Sequence, residues 1–190
     1  MCIRDRCGAG TITEKVQEKA KENDLYFPID FASSGSSQIG GNISTNAGGI
    51  HVIKYGTFKE WVIGLEVVLA DGTVLNLNNS LIKNQTGYNL KSLFIGSEGT
   101  LGIVTAATLK LCPQPGISKK AFIGLNDSSK MLEVLAKLRK KIPSLCMCEY
   151  VARNGLEKVI NHNKKTDPFN DKWNHYVPVS YTHLTLPTKD

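Results

Sequence analysis

A stretch of small residues between positions 33 and 49 constrains the fold of this chain more than any other feature. Within it, Ile39, Ile43 and Ala47 recur every four residues, and this spacing predicts a helix with one packed face. The other face carries almost only Gly, Ser, Thr and Asn, so another backbone or a bound group can approach it closely. The stretch therefore predicts either a tight packing surface with a turn or a binding surface for an anion.

Segments on both sides of this stretch carry secondary-structure signals. Apolar residues recur every four positions in residues 12–23, which predicts an amphipathic helix, and we expect Thr11 or Thr13 to cap it. Two β-rich runs around Asp71-Gly72 predict a β-hairpin. A further β-rich run, residues 103–111, predicts another strand.

The pattern of the sequence changes after Pro113 and Pro115, and these prolines mark a predicted domain boundary. Beyond them, apolar patterns predict a strand, a helix, a second strand and a second helix, at residues 120–125, 131–138, 145–151 and 156–160. This order predicts the start of a split, ferredoxin-like layer whose own sheet is incomplete. The fold class of the whole chain is therefore predicted as α+β.

The two ends of the chain share a pattern at the level of DNA. One string, ATGTGTATAAGAGAC, encodes Met1–Asp5, and its reverse complement encodes residues 179–183. The string resembles the end of a sequencing adapter, so we expect residues 1–6 and 179–190 to be adapter-derived and to make few contacts. We also expect an unpaired sheet edge in the second domain. The remaining chain is then predicted to form two domains, at residues 7–115 and 116–178.

Composition and charge exclude several classes of protein. The chain carries 23 Lys and Arg against 17 Asp and Glu, a net charge of +6, but its basic residues are scattered and not interleaved with aromatic residues. We therefore expect no nucleic-acid partner. No apolar run approaches the length of a membrane span. A cytoplasmic location is expected, with membrane association through other parts or partners left open.

The cysteines indicate a reduced protein without a metal site. No Cys-x-x-Cys pair or His-rich partner set is present, so no zinc site is expected. Cys146 and Cys148 are two residues apart in a predicted strand, which predicts that both lie on one buried, reduced face. His162 and His175 match no ligand or catalytic motif, and we expect both at the surface.

A second glycine-rich run, residues 96–102, follows a short helix expected at residues 89–94. We call residues 40–49 the first glycine segment and residues 96–102 the second glycine segment. Alone, the second segment is typical of a tight turn between a helix and a strand. Because the two segments flank a predicted hairpin, together they favour a site for a pyrophosphate, which needs close backbone N–H groups.

The polar residues of the first glycine segment fit such a ligand. Ser44 and Thr45 can donate hydrogen bonds to phosphate oxygens, and Asn46 can address a polar ring edge. Neither glycine segment shows Gly-x-Gly-x-x-Gly after a strand, so a Rossmann fold is not indicated.

The first glycine segment, followed by Lys54-Tyr55-Gly56, resembles the flavin-contacting segment of FAD-linked oxidases of the vanillyl-alcohol oxidase and para-cresol methylhydroxylase (PCMH) superfamily. Residues 83–105 resemble the second signature of the same superfamily. Within it, the likeness is greatest to D-lactate, D-2-hydroxyglutarate and glycolate dehydrogenases. The resemblance implies part of a PCMH-type FAD-binding domain, followed by the start of a ferredoxin-like FAD-linked oxidase C-terminal domain.

The resemblance implies a cofactor-binding role for each matching residue, with FAD as the cofactor. Those expected along the pyrophosphate and the isoalloxazine ring are Gly41, Asn42, Ser44, Thr45, Asn46, Gly48 and Gly49, continued by Lys54, Tyr55 and Gly56. Those expected toward the adenosine end are Glu98, Gly99, Thr100, Gly102 and Ile103.

The resemblance also implies a reaction, in which FAD takes a hydride from a D-2-hydroxy acid to give the 2-oxo acid while a base removes the hydroxyl proton. It places the first phosphate-binding loop before Cys7, and the metal ligands and substrate-binding arginine beyond Pro178. No catalytic or metal-binding residue is therefore assigned here, the electron acceptor stays open, and we expect the chain to be inactive alone. Two alternatives are a flavoenzyme of the same fold acting on another alcohol, and a non-catalytic flavin-binding or electron-transfer subunit.

Overall fold

The computed structural model describes residues 4–78 and 87–182. The chain divides into two compact units, Met1–Gln114 and Pro115–Asp190. The division falls within the proline-containing segment that the sequence marks as a boundary.

In its described residues, the first unit contains a four-stranded antiparallel sheet, a two-stranded sheet and short helices. Its strands are β1 (Arg4–Gly8), β2 (Leu25–Tyr26), β3 (Val62–Val68), β4 (Val74–Leu77), β5 (Ile103–Lys110) and β6 (Cys112–Pro113). Its α-helices are α1 (Thr13–Lys21), α2 (Ile39–Ser44), α3 (Val52–Tyr55) and α4 (Lys91–Phe94), and a 3₁₀ turn covers Phe58–Glu60. The larger sheet has the order β1-β5-β3-β4, and β2 pairs with β6.

The predicted hairpin around Asp71-Gly72 is confirmed, since β3 and β4 pair antiparallel on either side of it. Gly72 has a positive φ of 84°, which glycine adopts without steric cost. The carboxylate of Asp71 accepts the backbone N–H of Thr73 at 2.9 Å, and Leu69 N–H donates to the Thr73 carbonyl at 2.9 Å. The turn therefore fixes the register of the hairpin locally.

The helix predicted within the first glycine segment is confirmed in its first part. Ile39 and Ile43 are both fully buried, as their spacing predicts. The helix ends at Ser44, however, so Ala47 lies beyond it and packs against the core from the following loop. The helix cannot continue because Asn46 adopts a left-handed conformation with φ of 47°.

The expectation that Thr11 or Thr13 caps α1 is wrong. The N-cap residue is Ile12, and no side chain caps this end of the helix. The Thr13 hydroxyl is fully buried instead, 2.9 Å from the Ser37 hydroxyl and 3.2 Å from the Ser37 carbonyl. A tertiary contact with a distant loop has therefore replaced the local cap.

The second unit is built on a sheet with two helices. Its strands are β7 (Ser118–Leu125), β8 (Leu145–Cys148), β9 (Val151–Ala152) and β10 (His175–Thr182), and its helices are α5 (Lys130–Lys141) and α6 (Arg153–Asn163). The sheet has the order β7-β10-β8, with every pair antiparallel, and β9 also pairs with β10. The last strand thus lies between β7 and β8, as in a split βαβ layer. Among the described residues, β7 has a partner strand on one side alone.

The expectation that the chain ends make few contacts is wrong for the parts that the structure describes. Residues 4–6 lie in β1 and pair with β5, and the Arg6 guanidinium lies 3.1 Å from the Glu66 carboxylate. Val179 and Ser180, in β10, are 2% and 4% exposed. The reason is that backbone pairing accepts many sequences and this tail is rich in β-formers. Residues 1–3 and 183–190 lie outside the described residues.

The cysteine thiols at positions 7, 112, 146 and 148 are all free. Cys146 is buried, whereas Cys148 is only half-buried, so the predicted strand face is covered unevenly. Burial raises the pKa of Cys7 to about 11, which keeps this thiol neutral at physiological pH. In residues 4–78 and 87–182, no helix is long and apolar enough to cross a membrane.

A polar cluster joins α6 to the core of the second unit. The Arg153 guanidinium bonds to Glu157 at 2.7 Å, to Asp167 at 2.5 Å and to the Tyr176 hydroxyl at 2.6 Å. Tyr176 is fully buried, and its ring stacks on Phe122 at a centroid distance of 5.3 Å. The cluster therefore satisfies the polar end of the largest buried side chain in this unit.

The Asp167 carboxylate is expected to make the stability of the second unit depend on pH in the acidic range. The backbone N–H of Phe169 and the guanidinium of Arg153 hold the pKa of Asp167 below its ordinary value. A lowered folded-state pKa stabilises the fold above pH about 4, and this contribution is lost as the pH falls through the folded-state pKa. Thermal unfolding of Asp167→Asn should show a lower Tm at pH 7, with a gap to wild type that narrows below pH about 4.

Asp171→Asn is the matched control for this prediction, since Asp171 is exposed in the same loop. Its Tm should follow that of the wild type at each pH. A gap for Asp167→Asn that stays constant from pH 7 to pH about 3 would contradict the role of its charge.

Candidate functional site

The two glycine segments meet through backbone hydrogen bonds. The N–H of Gly96 donates to the Ile43 carbonyl at 3.0 Å, and the N–H of Glu98 donates to the Ser44 carbonyl at 2.8 Å. Both carbonyls belong to the C-terminal end of α2, where helix carbonyls lack partners within the helix. The second glycine segment therefore closes the end of the helix that the first segment forms.

Left-handed backbone conformations concentrate at this junction. The φ values are 47° at Asn46, 80° at Gly96, 52° at Glu98 and 79° at Gly99. Glu98 is not a glycine, and this conformation costs such a residue about 1–2 kcal/mol, whereas Asn46 is of a type that adopts it more readily. Backbone strain of this kind gathers at ligand-binding and catalytic sites, so the junction is the strongest candidate for a functional site.

Asn46 has its side chain held at the rim of the junction. Its amide oxygen accepts the backbone N–H of Lys59, in the 3₁₀ turn, at 3.0 Å. The amide nitrogen, which carries two N–H groups, is the end that can donate to a ligand. This arrangement agrees with a donor role for Asn46, and it adds the backbone of Lys59, which no sequence pattern indicates.

The hydroxyls of Ser44 and Thr45 are engaged within α2. Ser44 Oγ donates to the Gly40 carbonyl at 2.9 Å, and Thr45 Oγ1 donates to the Gly41 carbonyl at 3.0 Å. Such bonds to the preceding turn are common for Ser and Thr in helices. The sequence predicts that these hydroxyls donate to phosphate, and either one must give up its bond to the helix carbonyl to do so.

The glycines of the first segment serve different purposes. A Cβ at Gly41 would meet no atom within 4 Å, and one at Gly48 would lie 3.7 Å from the nearest atom. A Cβ at Gly40 would lie 2.6 Å from the Ala9 Cβ, and one at Gly49 would lie 2.3 Å from the Asp30 carbonyl oxygen. Gly40 and Gly49 are therefore required by internal packing, whereas Gly41 and Gly48 leave backbone open to a ligand such as a pyrophosphate.

Asn42 has its side chain turned into the protein. It is 8% exposed, and its amide nitrogen donates to Thr13 Oγ1 at 2.7 Å and to Ser37 Oγ at 3.3 Å. The resemblance places Asn42 among residues that line the cofactor. Its donor groups are used inside the unit, on the side of α2 that faces α1.

The Lys54-Tyr55-Gly56 segment is fixed by the following turn. The Tyr55 carbonyl accepts the indole N–H of Trp61 at 2.7 Å, and the Lys54 ammonium lies 5.1 Å from the centroid of the Tyr55 ring. Gly56 has φ of 73°, and a Cβ there would lie 2.8 Å from the Glu60 carboxyl carbon. The segment thus owes its shape to contacts within the first unit.

The remaining residues of the second glycine segment also divide into those with contacts inside the unit and those with an exposed side chain. Thr100 Oγ1 donates to the Ser97 carbonyl at 2.6 Å. A Cβ at Gly102 would lie 2.7 Å from Val67 Cγ1, so this glycine serves the packing of β5 on β3. Ile103 is 62% exposed and presents an apolar side chain beside the segment. The part of the second signature at residues 83–86 lies outside the described residues.

The histidines and possible metal ligands lie apart from the junction. His162 is exposed, whereas His175 is half-buried in β10, where its Nδ1 lies 2.9 Å from the Tyr150 hydroxyl. His175 therefore stays partly at the surface, next to the exposed Tyr150, and the surface expectation holds for it in part. Within the described part of the chain, no group of three or more His, Cys, Asp and Glu side chains is placed to hold a metal ion.

Sequence reasoning missed the residues that support the junction from other elements. Ala9 packs against Gly40, Asp30 packs against Gly49, and Thr13 bonds to Asn42. These residues lie outside both glycine segments, and no local pattern marks them. Only the three-dimensional fold of the first unit brings them together.

Comparison with known proteins adds family information to this geometry. A model of an FAD binding domain matches residues 6–78. Among curated proteins, the chain is 43% identical over 179 residues to D-2-hydroxyglutarate dehydrogenase of Stutzerimonas stutzeri, covering 94% of this chain and 38% of that protein. It is 44% identical over 173 residues to D-2-hydroxyglutarate dehydrogenase of Xanthomonas citri, covering 91% of this chain and 36% of that protein. The chain therefore spans less than two fifths of these relatives.

A mitochondrial relative and a solved structure show the same partial coverage. Mitochondrial D-2-hydroxyglutarate dehydrogenase of Rattus norvegicus is 39% identical over 163 residues, covering 85% of this chain and 30% of that protein. A structure of alkyldihydroxyacetonephosphate synthase superposes with a TM-score of 0.74 at 19% identity, covering 95% of this chain and 35% of that chain. At this identity, the superposition shows a shared fold.

Proposed function

We propose that this chain belongs to the FAD-linked oxidase family and is part of a dehydrogenase that oxidises a D-2-hydroxy acid to the 2-oxo acid. The observation that carries the proposal is the strained junction of the two glycine segments, with open backbone at Gly41 and Gly48. The similarity to D-2-hydroxyglutarate dehydrogenases over nearly the whole chain supports the substrate class. We take D-2-hydroxyglutarate as the first substrate to test.

The residues at the junction fit FAD as the cofactor. The backbone at Gly41 and Gly48 is open to close approach, and the Asn46 amide nitrogen can donate to an acceptor on the cofactor. We assign Glu98, Gly99, Thr100 and Ile103 to the side nearer the adenosine. FAD, when bound, accepts the hydride from the α-carbon of the hydroxy acid.

A hybrid holoenzyme tests this proposal directly. The segment of the Stutzerimonas stutzeri relative that matches this chain is replaced by the corresponding residues of this chain, which are 43% identical over 179 residues. We expect the purified hybrid to show a flavin absorbance spectrum and to reduce a dye with D-2-hydroxyglutarate. The L enantiomer is the matched control and should give no reduction.

Two results would count against the proposal. A folded hybrid without flavin would exclude the assignment of the junction as a flavin site. A hybrid that retains flavin but reduces no dye with D-2-hydroxyglutarate or D-lactate would favour the flavin-holding or electron-transfer role instead.

The chain alone is expected to show no turnover of hydroxy acids. It spans 38% of the Stutzerimonas stutzeri relative, and its described residues include no assigned catalytic base or metal cluster. The measurement is dye reduction by the purified 190-residue chain with added FAD and D-2-hydroxyglutarate or D-lactate, beside the intact relative as positive control. Clear, enzyme-dependent reduction by the chain alone would show that its own residues supply the chemistry.

A further inference from the structure

A buried polar network connects α1, the loop before α2, and α2 itself. Its members are Thr13, Ser37 and Asn42, with Thr13 fully buried and Asn42 8% exposed. The Asn42 amide donates to both hydroxyls, at 2.7 Å and 3.3 Å, and the two hydroxyls lie 2.9 Å apart. Hydrogen bonds of this kind depend on direction as well as distance, so the network fixes a position that apolar contacts alone would leave looser.

The helix that this network holds is short and depends on its neighbours for its position. α2 has only six residues, and helices of that length do not persist by themselves in water. Backbone bonds secure its first turn, since Ile39 N–H donates to the Thr11 carbonyl and Gly40 N–H to the Ala9 carbonyl, at 2.9 and 2.8 Å. Asn42 supplies the side-chain contact one turn further along.

The other end of α2 forms half of the candidate flavin site. The Ile43 and Ser44 carbonyls, directly after Asn42, accept the N–H groups of Gly96 and Glu98. A small shift or rotation of α2 would therefore move the strained second glycine segment with it. Asn42 lies in the middle of this connection, with its side chain on the side of the helix turned toward α1.

We propose that Asn42 is a positioning residue of the flavin site, which acts through α2 and does not itself touch the cofactor. Together with Thr13 and Ser37, it sets the register of α2 against α1, so that the end of α2 meets the second glycine segment. This inference rests on the proposed function, because it assigns a role at the same site. It replaces direct contact, which the resemblance implies for Asn42, by an indirect effect from a buried network.

Variants in the hybrid holoenzyme test the inference through the affinity for FAD. Thr13→Val keeps the shape of the buried side chain and removes its hydroxyl, whereas Thr13→Ser keeps the hydroxyl. We expect Asn42→Ala and Thr13→Val each to weaken FAD binding by about tenfold and Thr13→Ser to stay close to wild type. The double variant should be no weaker than the worse single one, because either change breaks the same network.

The readouts are the FAD dissociation constant, from titration of the flavin-free protein, and the visible circular dichroism of the bound flavin. The dichroism should change in Asn42→Ala and Thr13→Val, because a displaced helix alters the surroundings of the ring. Val16→Ala, in the buried face of α1, is the control for loss of stability, and its FAD affinity should stay within about twofold of wild type.

Three outcomes would overturn the inference. Weakened FAD binding in Val16→Ala at an equal loss of Tm would show that Asn42 acts only through stability. Full additivity of Asn42→Ala and Thr13→Val would show that Asn42 acts independently of Thr13 and not through the network. Unchanged affinity in Thr13→Val would exclude the network. Failure of the proposed function is distinct, since the unmodified hybrid would then bind no FAD or reduce no dye.

Discussion

Gly49→Ala is expected to destabilise the first unit by about 3 kcal/mol or more, the largest effect of any conservative change in the first glycine segment. A Cβ at this position would lie 2.3 Å from the Asp30 carbonyl oxygen and 2.8 Å from the Asp30 backbone nitrogen. Both atoms are backbone, so no side-chain rotation relieves the clash. The same carbonyl accepts the Ile50 N–H at 2.9 Å, and this bond would be strained or lost as well.

The neighbouring glycine provides the matched comparison. A Cβ at Gly48 would lie 3.7 Å from Val52 Cγ2 and 3.8 Å from Thr57 Cγ2, which are ordinary contacts, so Gly48→Val should cost the chain less stability than Gly49→Ala. In the hybrid holoenzyme we expect the same change to weaken FAD binding by about 100-fold, because a branched side chain would block the backbone from the cofactor. Thermal unfolding of the chain and flavin content of the hybrid measure the two effects separately. A Gly48→Val hybrid with full flavin content would place the flavin elsewhere.

This contrast shows what the sequence reveals about the first glycine segment. Spacing alone predicts that Ile39 and Ile43 point into the core, and the structure confirms it. Spacing does not reveal where the helix ends, because the left-handed conformation of Asn46 depends on its bond to the 3₁₀ turn thirteen residues later. Spacing also does not reveal that Gly49, unlike Gly48, excludes a side chain, because the backbone that would clash with it belongs to the distant Asp30.

The same division between local and tertiary causes runs through the fold. The hairpin around Asp71-Gly72 depends on its own turn residues, and the sequence predicts it correctly. The cap predicted for α1 does not form, because the Thr13 hydroxyl is hydrogen-bonded in the buried network with Asn42 instead. The insertion of β10 between β7 and β8 also follows from sheet topology, which no single segment encodes.

For the candidate site, the resemblance points to two stretches of chain that the structure brings together, but it could not assign a purpose to each residue. Residues at the surface of the junction, such as Gly41 and Gly48, remain proposed cofactor contacts. Others, such as Asn42 and Gly102, are occupied by contacts within the unit. Belonging to a motif and contacting a ligand are different physical requirements, because a backbone that must approach a cofactor also needs its own support.

Gly40→Ala is the second change with a large expected effect, and the structure offers a compensating partner for it. A Cβ at Gly40 would lie 2.6 Å from the Ala9 Cβ, and the Ala9 backbone is 3.3 Å away. Alanine favours a helix over glycine by about 1 kcal/mol, but overpacking costs about 1–3 kcal/mol, and we expect the clash to win. Thermal unfolding of the chain should show a clear fall in Tm for Gly40→Ala.

The double variant Gly40→Ala, Ala9→Gly moves the methyl group from one side of the contact to the other and should recover most of the lost stability. In the hybrid holoenzyme, flavin content should return with it, because the position of a Cβ at Gly40 faces Ala9 and not the open surface at Gly41. If stability returned without flavin, Gly40 would have to belong to the cofactor surface, and its assignment to internal packing would be wrong. If neither returned, the 3.3 Å approach to the Ala9 backbone would be the contact that requires glycine. The pair of measurements therefore distinguishes a glycine kept for packing from one kept for a ligand.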